Sequence, residues 1–388
     1  MNLALPPLTS PTNFDLPTIT ADLPGIGGRL RAAPDHFVVE EVPLYEPAGE
    51  GTHLYVNLTR AGLSTRDVQA QLERLFRLGR DEVGYAGLKD KAARTTQTFS
   101  IPVHAPRPGV EAEMAQRIRD ELSVTLNWAA LHRNKLKIGH LLGNRFRIVV
   151  TDLALPVEAA LAAAEPIAAR LRAQGAPNFF GVQRFGGQGD NARQGYDILT
   201  GKRGPRDKWL RKFLLSAYQS HLCNLYLARR IEMGAFTRLL AGDIAKKHAT
   251  GGLFDVEDLT AEQARFAAQE ISFTAPMFGA KMRPAQGEAG ELEAALLAET
   301  GLTDRHWQAA RIEGTRRLGR VLLPDLRLSG AEGGPDDGIA VEFTLPKGGF
   351  ATVVLREFMK VESDNLPAQD ADIDNADSVD NAGRAEDA

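Results

Sequence analysis

A single carboxylate stands between two lysines in the first quarter of the chain. Asp90 has Lys89 on one side and Lys91 on the other, and glycines just before them are typical of a tight loop. A nearby ammonium group keeps a carboxylate ionised even when water is partly excluded. An ionised, poorly hydrated aspartate can attack an electrophilic carbon or remove a proton. A solvated turn of mixed charge explains the same residues, and composition alone favours that interpretation.

Other catalytic chemistries find little support in the residue spacing. The eight histidines include no His-x-x-x-His pair, so we expect no metal site. The sequence contains no P-loop and no Gly-x-Ser-x-Gly motif. Cys223 lies in an apolar helical stretch, where core packing is a better interpretation than a nucleophile. Simple glycoside hydrolysis normally needs two carboxylates at a set separation, and no second one is obvious beside Asp90.

Basic residues cluster twice along the chain. The members of the first group are His132, Arg133, Lys135, Lys137, Arg145 and Arg147, with Trp128 and Phe146 among them. Cations suit phosphate contacts and aromatic rings suit base stacking, so this mixture is consistent with an RNA partner. The second group, in residues 203–212, is equally well explained by a solvated helix face.

Short strands mixed with helices must position these residues. Alternating apolar residues predict strands at residues 37–42, 54–58, 95–103, 145–150, 339–345 and 351–355. Helical spacing predicts a helix from the capping residue Ser64 to a stop at Gly79, and others at residues 110–122, 157–174, 207–230 and 292–299. Residues 83–91 then form a strand followed by a tight loop. Because the strands and helices do not alternate regularly, the pattern favours an α+β fold.

Length, composition and charge indicate the general class of the protein. A chain of 388 residues with 43% hydrophobic residues can form more than one core. Residues 361–388 hold nine acidic residues against one basic residue, so we expect a disordered acidic tail. The net charge of −4 becomes +4 without that tail. One cysteine and no apolar stretch long enough to span a membrane indicate a cytoplasmic protein.

Six segments of the chain match the motifs of one known family, in the family's order. The most specific is residues 87–97, GLKDKAARTTQ. The other five are residues 31–40 (RAAPDHFVVE), 132–139 (HRNKLKIG), 143–146 (GNRF), 177–186 (PNFFGVQRFG) and 345–352 (LPKGGFAT). Together they resemble the TruD family of tRNA pseudouridine synthases, and the likeness covers roughly residues 25–360.

The resemblance implies that the substrate is uridine 13 in the D-arm of certain tRNAs. Asp90 matches the family's catalytic aspartate, and Arg31 matches the basic residue that partners it. Positions in the uridine pocket are matched by Phe37, Asn144, Phe350 and Phe146, the last beside the target base. The residues expected to contact RNA are Lys89, His132, Arg133, Lys135, Lys137 and Arg145. Core packing is the alternative for the phenylalanines, since phenylalanine beside β-branched residues is usually internal.

The resemblance also implies a domain organisation. Residues 25–175 and 326–360 would form a pseudouridine-synthase catalytic domain with a mixed β-sheet. A mainly helical TruD-type insertion domain would interrupt it at residues 176–325. An extended arm at residues 1–24 and the acidic tail at 361–388 lie outside both. One motif departs from the family, because His36 stands where the family commonly has a carboxylate, so we assign no role to it.

The implied reaction leaves the composition of the uridine unchanged. Nothing is oxidised and no group is donated, so we expect no cofactor and no metal. Asp90 can add to C1′ as the base leaves or abstract the C2′ proton, and both routes are compatible with the sequence. The expected partner is tRNA, with no membrane and no obligate protein partner. Two other functions fit the residues less well: a non-catalytic RNA-binding or RNA-folding protein, and a carboxylate-based nucleoside hydrolase.

Overall fold

The computed structural model describes residues 16–30, 33–104, 106–331 and 337–361. Backbone contacts divide the chain into two compact units. Gly27–Leu161 and Asp325–Gly348 form the first, which we call the sheet unit. Ala162–Pro324 and the described residues before 27 and after 348 form the second, the helix-rich unit. Compactness alone does not define an independent domain, so the predicted domain bounds remain a prediction. The acidic tail lies outside the described residues, except for Val361.

The described strands, numbered in chain order, are β1 (Gly27–Leu30), β2 (Phe37–Pro43), β3 (His53–Arg60), β4 (Gly84–Tyr85), β5 (Arg94–Pro102), β6 (Thr125–His132), β7 (Leu141–Leu153), β8 (Ala176–Pro177), β9 (Ile244–Lys247), β10 (Leu253–Asp255), β11 (Ile271–Met277), β12 (Thr315–Leu318), β13 (Arg320–Val321), β14 (Arg327–Ala331) and β15 (Gly338–Pro346). The described helices are α1 (Thr65–Phe76), α2 (Val110–Glu121), α3 (Val157–Gln174), α4 (Asn191–Leu199), α5 (Lys208–Glu232), α6 (Leu259–Ala267), α7 (Gly287–Thr300), α8 (Asp304–Ala310) and α9 (Ala351–Met359). Two short 3-10 turns lie at Pro34–His36 and Val182–Phe185.

Nine of the described strands form one mixed sheet in the sheet unit. Seven of them follow the order β14-β15-β7-β2-β5-β3-β6, while β1 pairs with β7 and β4 pairs with β5. β2 and β5 run parallel, and the other described pairs in this sheet are antiparallel. The strands predicted in this part of the chain, from residues 37–42 to residues 339–345, are confirmed with some ends shifted.

One face of this sheet carries a hydrophobic core. Its buried members include Leu54, Val56 and Leu58 from β3, Phe99 and Ile101 from β5, Val68, Leu72 and Leu75 from α1, and Met114 and Ile118 from α2. The residues alternate with period two along the strands and repeat every three or four positions along the helices, as one buried face of each element requires. This core fixes α1 over the part of the sheet that carries Asp90's loop.

The start of α1 is set by a capping box. The hydroxyl of Ser64 accepts a hydrogen bond from the backbone N–H of Asp67 at 3.1 Å, and Asp67 accepts one from the N–H of Ser64 at 2.9 Å. Such a box satisfies N–H groups that have no partner within the helix. The predicted stop at Gly79 is wrong, since Arg77 ends the helix in the left-handed conformation with a φ of 55°. Arginine does so here although glycine is usual at this position.

The helix-rich unit is built around α5, a helix of 25 residues. Cys223 lies in its middle and is fully buried, as expected for a packing residue, and burial raises the pKa of its thiol to about 12. The helices predicted at residues 207–230 and 292–299 are confirmed as α5 and α7. A four-stranded antiparallel sheet, in the order β10-β9-β11-β12, accompanies them and was not expected from the sequence.

The strand predicted at residues 351–355 is wrong, because this segment begins helix α9. The two adjacent valines, Val353 and Val354, are typical of strands. The buried positions nevertheless follow helical spacing, with Val354, Leu355, Phe358 and Met359 all facing inward. A five-residue window is too short to tell these two periods apart.

Candidate active site

Asp90 lies on the loop between β4 and β5 of the sheet unit. Along one edge of β5, residues Arg94–Thr96 pair with β2, and Phe99 and Ser100 pair with β4 further along. On this edge, β5 therefore pairs first with β2 and then with β4, and the loop lies where the pairing partner changes. Asp90 is half-buried, and its Oδ1 accepts a hydrogen bond from the backbone N–H of Ala92 at 2.9 Å. This is a local turn contact that fixes the carboxylate relative to its own loop.

The residue before Asp90 is held by a buried ion pair. The Nζ of Lys89 lies 3.0 Å from Oε2 of Glu41 on β2, and the two side chains are only 5% and 2% exposed. The backbone N–H of Lys89 also donates to Oγ1 of Thr65 at 2.8 Å. Lys89 was expected to contact RNA, but its ammonium points into the protein. These contacts anchor Lys89 inside the protein, next to Asp90.

A buried polar network supports that ion pair. The side-chain amide of Gln97 donates to the carbonyl of Gly87 and, at 3.4 Å, to Oε2 of Glu41. Arg60 donates from Nη2 to Thr65 at 3.0 Å and to Oε1 of Gln97 at 3.1 Å. Burial lowers the pKa of Arg60 to about 10, while the nearby carboxylate of Glu41 opposes that shift. The loop that carries Asp90 is thus tied to β2, β3, β5 and α1.

The strand register brings Asn144 next to this network. Residues directly opposite each other in an antiparallel pair place their side chains on the same face. Glu41 of β2 lies opposite Asn144 of β7, so the amide of Asn144 shares the face on which Glu41 holds Lys89. The Oδ1 of Asn144 is buried, and it accepts no hydrogen bond from any residue that the structure describes. An amide oxygen in that state is available to a ligand's donor.

Phe37 and Phe146 lie on the same sheet face. In the β2–β7 pair, Phe37 is opposite Ile148 and Phe146 is opposite Val39. Phe37 is 1% exposed and Phe146 is 7% exposed. Their rings meet edge to face at 6.4 Å, and Phe146 also stacks on Phe343 at 5.5 Å. Both rings therefore contribute to packing. A small part of Phe146, which lies two positions after Asn144 on the same face of β7, stays exposed.

Two of the predicted site residues are not brought into this cluster by the described contacts. Arg31 lies outside the described residues. Phe350 belongs to the helix-rich unit, where it precedes α9 and packs against Phe180 with a ring separation of 6.0 Å. Their assignment to the uridine pocket remains a prediction from the resemblance.

The residues of the first basic group that were expected to contact RNA differ in their exposure and in the contacts they make within the protein. Arg133 pairs with Glu50 at 2.5 Å and Arg145 with Glu40 at 3.6 Å, yet both arginines are about two-thirds exposed. Lys137 is exposed. Lys135 is half-buried and donates to a backbone carbonyl, that of Asp81, while His132 stacks on Tyr45 at 5.1 Å.

The described residues contain no group of three His, Cys, Asp or Glu side chains placed to hold a metal ion. None of the helices in the described ranges is long and apolar enough to cross a membrane. The residues that sequence reasoning missed are Glu41, Arg60 and Gln97. Their signal was a polar residue at a position that strand alternation places inward, as for Gln97, two residues before the buried Phe99.

Comparison with known proteins places the chain in a family. A family model described as tRNA pseudouridine synthase D (TruD) matches residues 13–203 and 206–358. The chain is 44% identical over 365 residues to tRNA pseudouridine synthase D of Anaeromyxobacter dehalogenans strain 2CP-C, covering 92% of this chain and 99% of the relative. It is also 44% identical over 356 residues to a Thermus thermophilus protein of the same name, covering 92% of this chain and 95% of that relative.

A solved structure gives the same result for the fold. The crystal structure of a putative tRNA pseudouridine synthase D from Methanosarcina mazei superposes with a TM-score of 0.75 at 25% identity, covering 89% of this chain and 97% of the other. The fold and the family match define a pseudouridine synthase of α+β architecture. The chain belongs to the tRNA pseudouridine synthase D (TruD) family. The resemblance seen in the sequence and the predicted fold class are thereby confirmed.

Proposed function

We propose that this protein isomerises uridine to pseudouridine in tRNA, at uridine 13 of the D-arm, with Asp90 as the catalytic carboxylate. The observation that carries the proposal is the fixed position of Asp90's loop. Lys89 anchors the loop to Glu41, and Glu41 lies directly opposite Asn144 in the sheet. The carboxylate of Asp90 is half-buried, and the residue before it is anchored to the strand position opposite an amide that can recognise a base. Such a reaction belongs in the cytoplasm, where tRNA is found.

The reaction requires one bond to break and another to form at C1′ of the ribose. The N1–C1′ bond breaks, the uracil rotates, and C5 bonds to C1′. The proton on C5 passes to solvent, and N1 gains a proton, so the product is an isomer of the substrate. Asp90 either bonds to C1′ as the uracil leaves or takes the C2′ proton, and it is regenerated in both routes.

Asn144 has the chemistry to hold the detached uracil. Its amide can donate and accept, and its Oδ1 has no other donor among the described residues. The N3–H of uracil supplies such a donor. Phe146 would contact the base with its exposed edge, and Phe37 would support Phe146 from the side. Phe350 and Arg31 are assigned to the pocket on the resemblance alone.

Exposed cations would hold the tRNA while its uridine leaves the stack. Extruding a nucleotide costs a few kcal/mol, which phosphate contacts offset. Lys137, Arg133 and Arg145 are exposed in the sheet unit and suit that role. Lys89 would act on Asp90 instead of on the RNA.

The test is to incubate the purified protein with an unmodified tRNA transcript and locate the product. Carbodiimide labelling followed by primer extension should mark pseudouridine at position 13, and a transcript with cytidine there should give no mark. Pseudouridine elsewhere would contradict the proposed position but keep the reaction. Released uracil would indicate a hydrolase, and bound but unchanged tRNA would indicate a binding protein without catalytic activity.

A further inference from the structure

The second basic group, residues 203–212, opens helix α5 in the helix-rich unit, and the proposed reaction gives it no role. It holds five basic residues against one acidic residue, Asp207, which leaves a net charge of +4. The carboxylate of Asp207 caps the helix, since its Oδ1 accepts a hydrogen bond from the backbone N–H of Leu210 at 2.6 Å. The group is therefore a local excess of positive charge at the start of a long helix.

Three cations of this group are exposed to solvent. They are Arg203, Arg206 and Lys208, and none of them forms an ion pair with a carboxylate in the described part of the chain. Lys202, just before the group, differs from them because its ammonium lies 2.8 Å from Oδ1 of Asp197. A cation without a fixed partner can attract a phosphate without first giving up an ion pair. The three exposed cations are thus suited to an anionic ligand.

The exposed aromatic ring among these cations is that of Trp209. The residue is 38% exposed, and one face of its ring stacks on Phe213 with 5.5 Å between ring centroids and 12° between planes. Phe213 is 7% exposed and belongs to the core of the helix-rich unit, where the guanidinium of Arg184 lies 5.0 Å from its ring centroid. The indole is therefore held from the protein side, and its exposed area lies on its other face and its edges. A ring held in this way loses little freedom when a planar ligand stacks on it.

Two kinds of anion fit the charge of this group: a nucleic acid, and an acidic polypeptide such as residues 361–388 of this chain. The exposed indole favours the nucleic acid. Unpaired bases stack on aromatic side chains, and this stacking tolerates any base sequence. Residues 361–388 contain no aromatic residue, so they could neutralise the cations but offer no aromatic group to the ring of Trp209.

We propose that the second basic group binds RNA, with an unpaired base stacked on Trp209 and the three exposed cations on the phosphates to either side. Arg203 is six positions before Trp209, so these cations lie at most about 22 Å from the ring along the chain, within the length of a few nucleotides. The proposal rests on the proposed function only in taking RNA as the partner. It adds an RNA contact in the helix-rich unit that does not depend on Asp90.

Tryptophan fluorescence reports directly on this ring. The chain has three tryptophans. Trp307 is 1% exposed and shielded from ligands, and Trp128 is replaced by phenylalanine for this experiment. An unmodified tRNA transcript should quench Trp209 in the Trp128→Phe protein, with half-saturation at the dissociation constant that filter binding gives for the same protein. Polyglutamate, a polyanion without bases, should leave the emission unchanged.

The affinity for tRNA measures the stacking contact separately from the charge. Trp209→Ala should weaken tRNA binding about tenfold and leave the salt slope unchanged, because stacking releases no counterions. Trp209→Phe keeps an aromatic ring and should bind within about threefold of wild type. Met233→Ala is the matched control, since Met233 is 48% exposed at the other end of α5, about 36 Å from Trp209, and it should bind like wild type.

The cations are tested by the salt dependence of binding. Joint replacement of Arg203, Arg206 and Lys208 by glutamine should reduce the salt slope by about one for each side chain that contacts a phosphate. An unchanged slope in this triple variant would place the three cations off the RNA and would overturn the proposal.

Unquenched Trp209 at saturating tRNA would also overturn the proposal, even if Trp209→Ala failed to fold. Quenching by polyglutamate as strong as by tRNA would overturn it as well and would assign the second basic group to an acidic polypeptide. Pseudouridine formation without quenching of Trp209 would contradict this proposal alone. Quenching without pseudouridine formation would support it and contradict only the proposed function.

Discussion

The ammonium of Lys89 and the carboxylate of Glu41 form an ion pair of 3.0 Å between two side chains that are almost fully buried. Removing one partner of such a pair leaves a buried charge without compensation, whereas replacing both by apolar groups is often neutral. The pair joins the loop of Asp90 to β2, across 48 positions of sequence. It is therefore one of the contacts that tie the loop of the catalytic candidate to the sheet.

We predict that Glu41→Ala lowers the free energy of unfolding by about 3–5 kcal/mol. The double variant Glu41→Leu with Lys89→Met should recover most of that loss, because neither buried charge remains. Urea unfolding followed by circular dichroism measures both values. If Glu41→Ala unfolded like wild type, Lys89 would have to be solvated rather than buried.

A second prediction separates positioning from RNA contact. In the folded double variant Glu41→Leu with Lys89→Met, the salt slope of tRNA binding should match wild type, while turnover falls at least about tenfold through the loosened loop of Asp90. Joint replacement of Lys135 and Lys137 by alanine should reduce the slope by about one for each lysine that contacts a phosphate. A reduced salt slope in the double variant Glu41→Leu with Lys89→Met would show that Lys89 contacts the RNA after all.

A third prediction concerns the buried amide of Asn144. Because its Oδ1 has no donor among the described residues, Asn144→Ala should change the free energy of unfolding by less than about 1 kcal/mol while greatly reducing isomerisation. Asn178 is the matched control, since it donates to Leu318 at 2.8 Å and accepts from Arg317 at 2.6 Å. Asn178→Ala should cost about 1–3 kcal/mol. A large loss of stability in Asn144→Ala would mean that its amide is structural.

A fourth prediction concerns pH. Burial lowers the pKa of His221 on α5 to about 3. Below the usual histidine pKa of about 6.5, the unfolded chain binds a proton that the folded protein does not, so stability falls as pH falls from there toward 3. This histidine should contribute a slope of about 1.4 kcal/mol per pH unit. His221→Phe should unfold with a shallower slope between pH 6 and pH 4, and an identical slope would show that the imidazole is solvated.

The elements that the sequence predicts well are those with local signals. The box of Ser64 and Asp67 begins α1, and the alternation around Val56 marks β3. Helix α9 was missed because Val353 and Val354 resemble a strand over a short window. The sheet of the helix-rich unit was missed because β11 is buried at all seven positions and carries no alternation. A continuous buried run does not reveal its period.

The parts of the candidate site that lie within a single sequence motif were predictable. Asp90 stands out between its lysines, and Asn144 lies in a short motif of its own. The direction of Lys89 was not predictable, because its partner Glu41 is distant in sequence and the pairing depends on the strand register. Arg60 and Gln97 join the same network through contacts between separate strands. Such long-range pairs appear only once the sheet has formed.

The most direct test of the account is tritium release from tRNA labelled at C5 of uridine. Asp90→Asn should bind tRNA with wild-type affinity and release tritium at least about a thousandfold more slowly. Asp81→Asn is the control, since Asp81 is an exposed carboxylate on the preceding turn with a φ of 61° that asparagine tolerates, and it should release tritium at the wild-type rate. Wild-type release by folded Asp90→Asn would contradict the central claim.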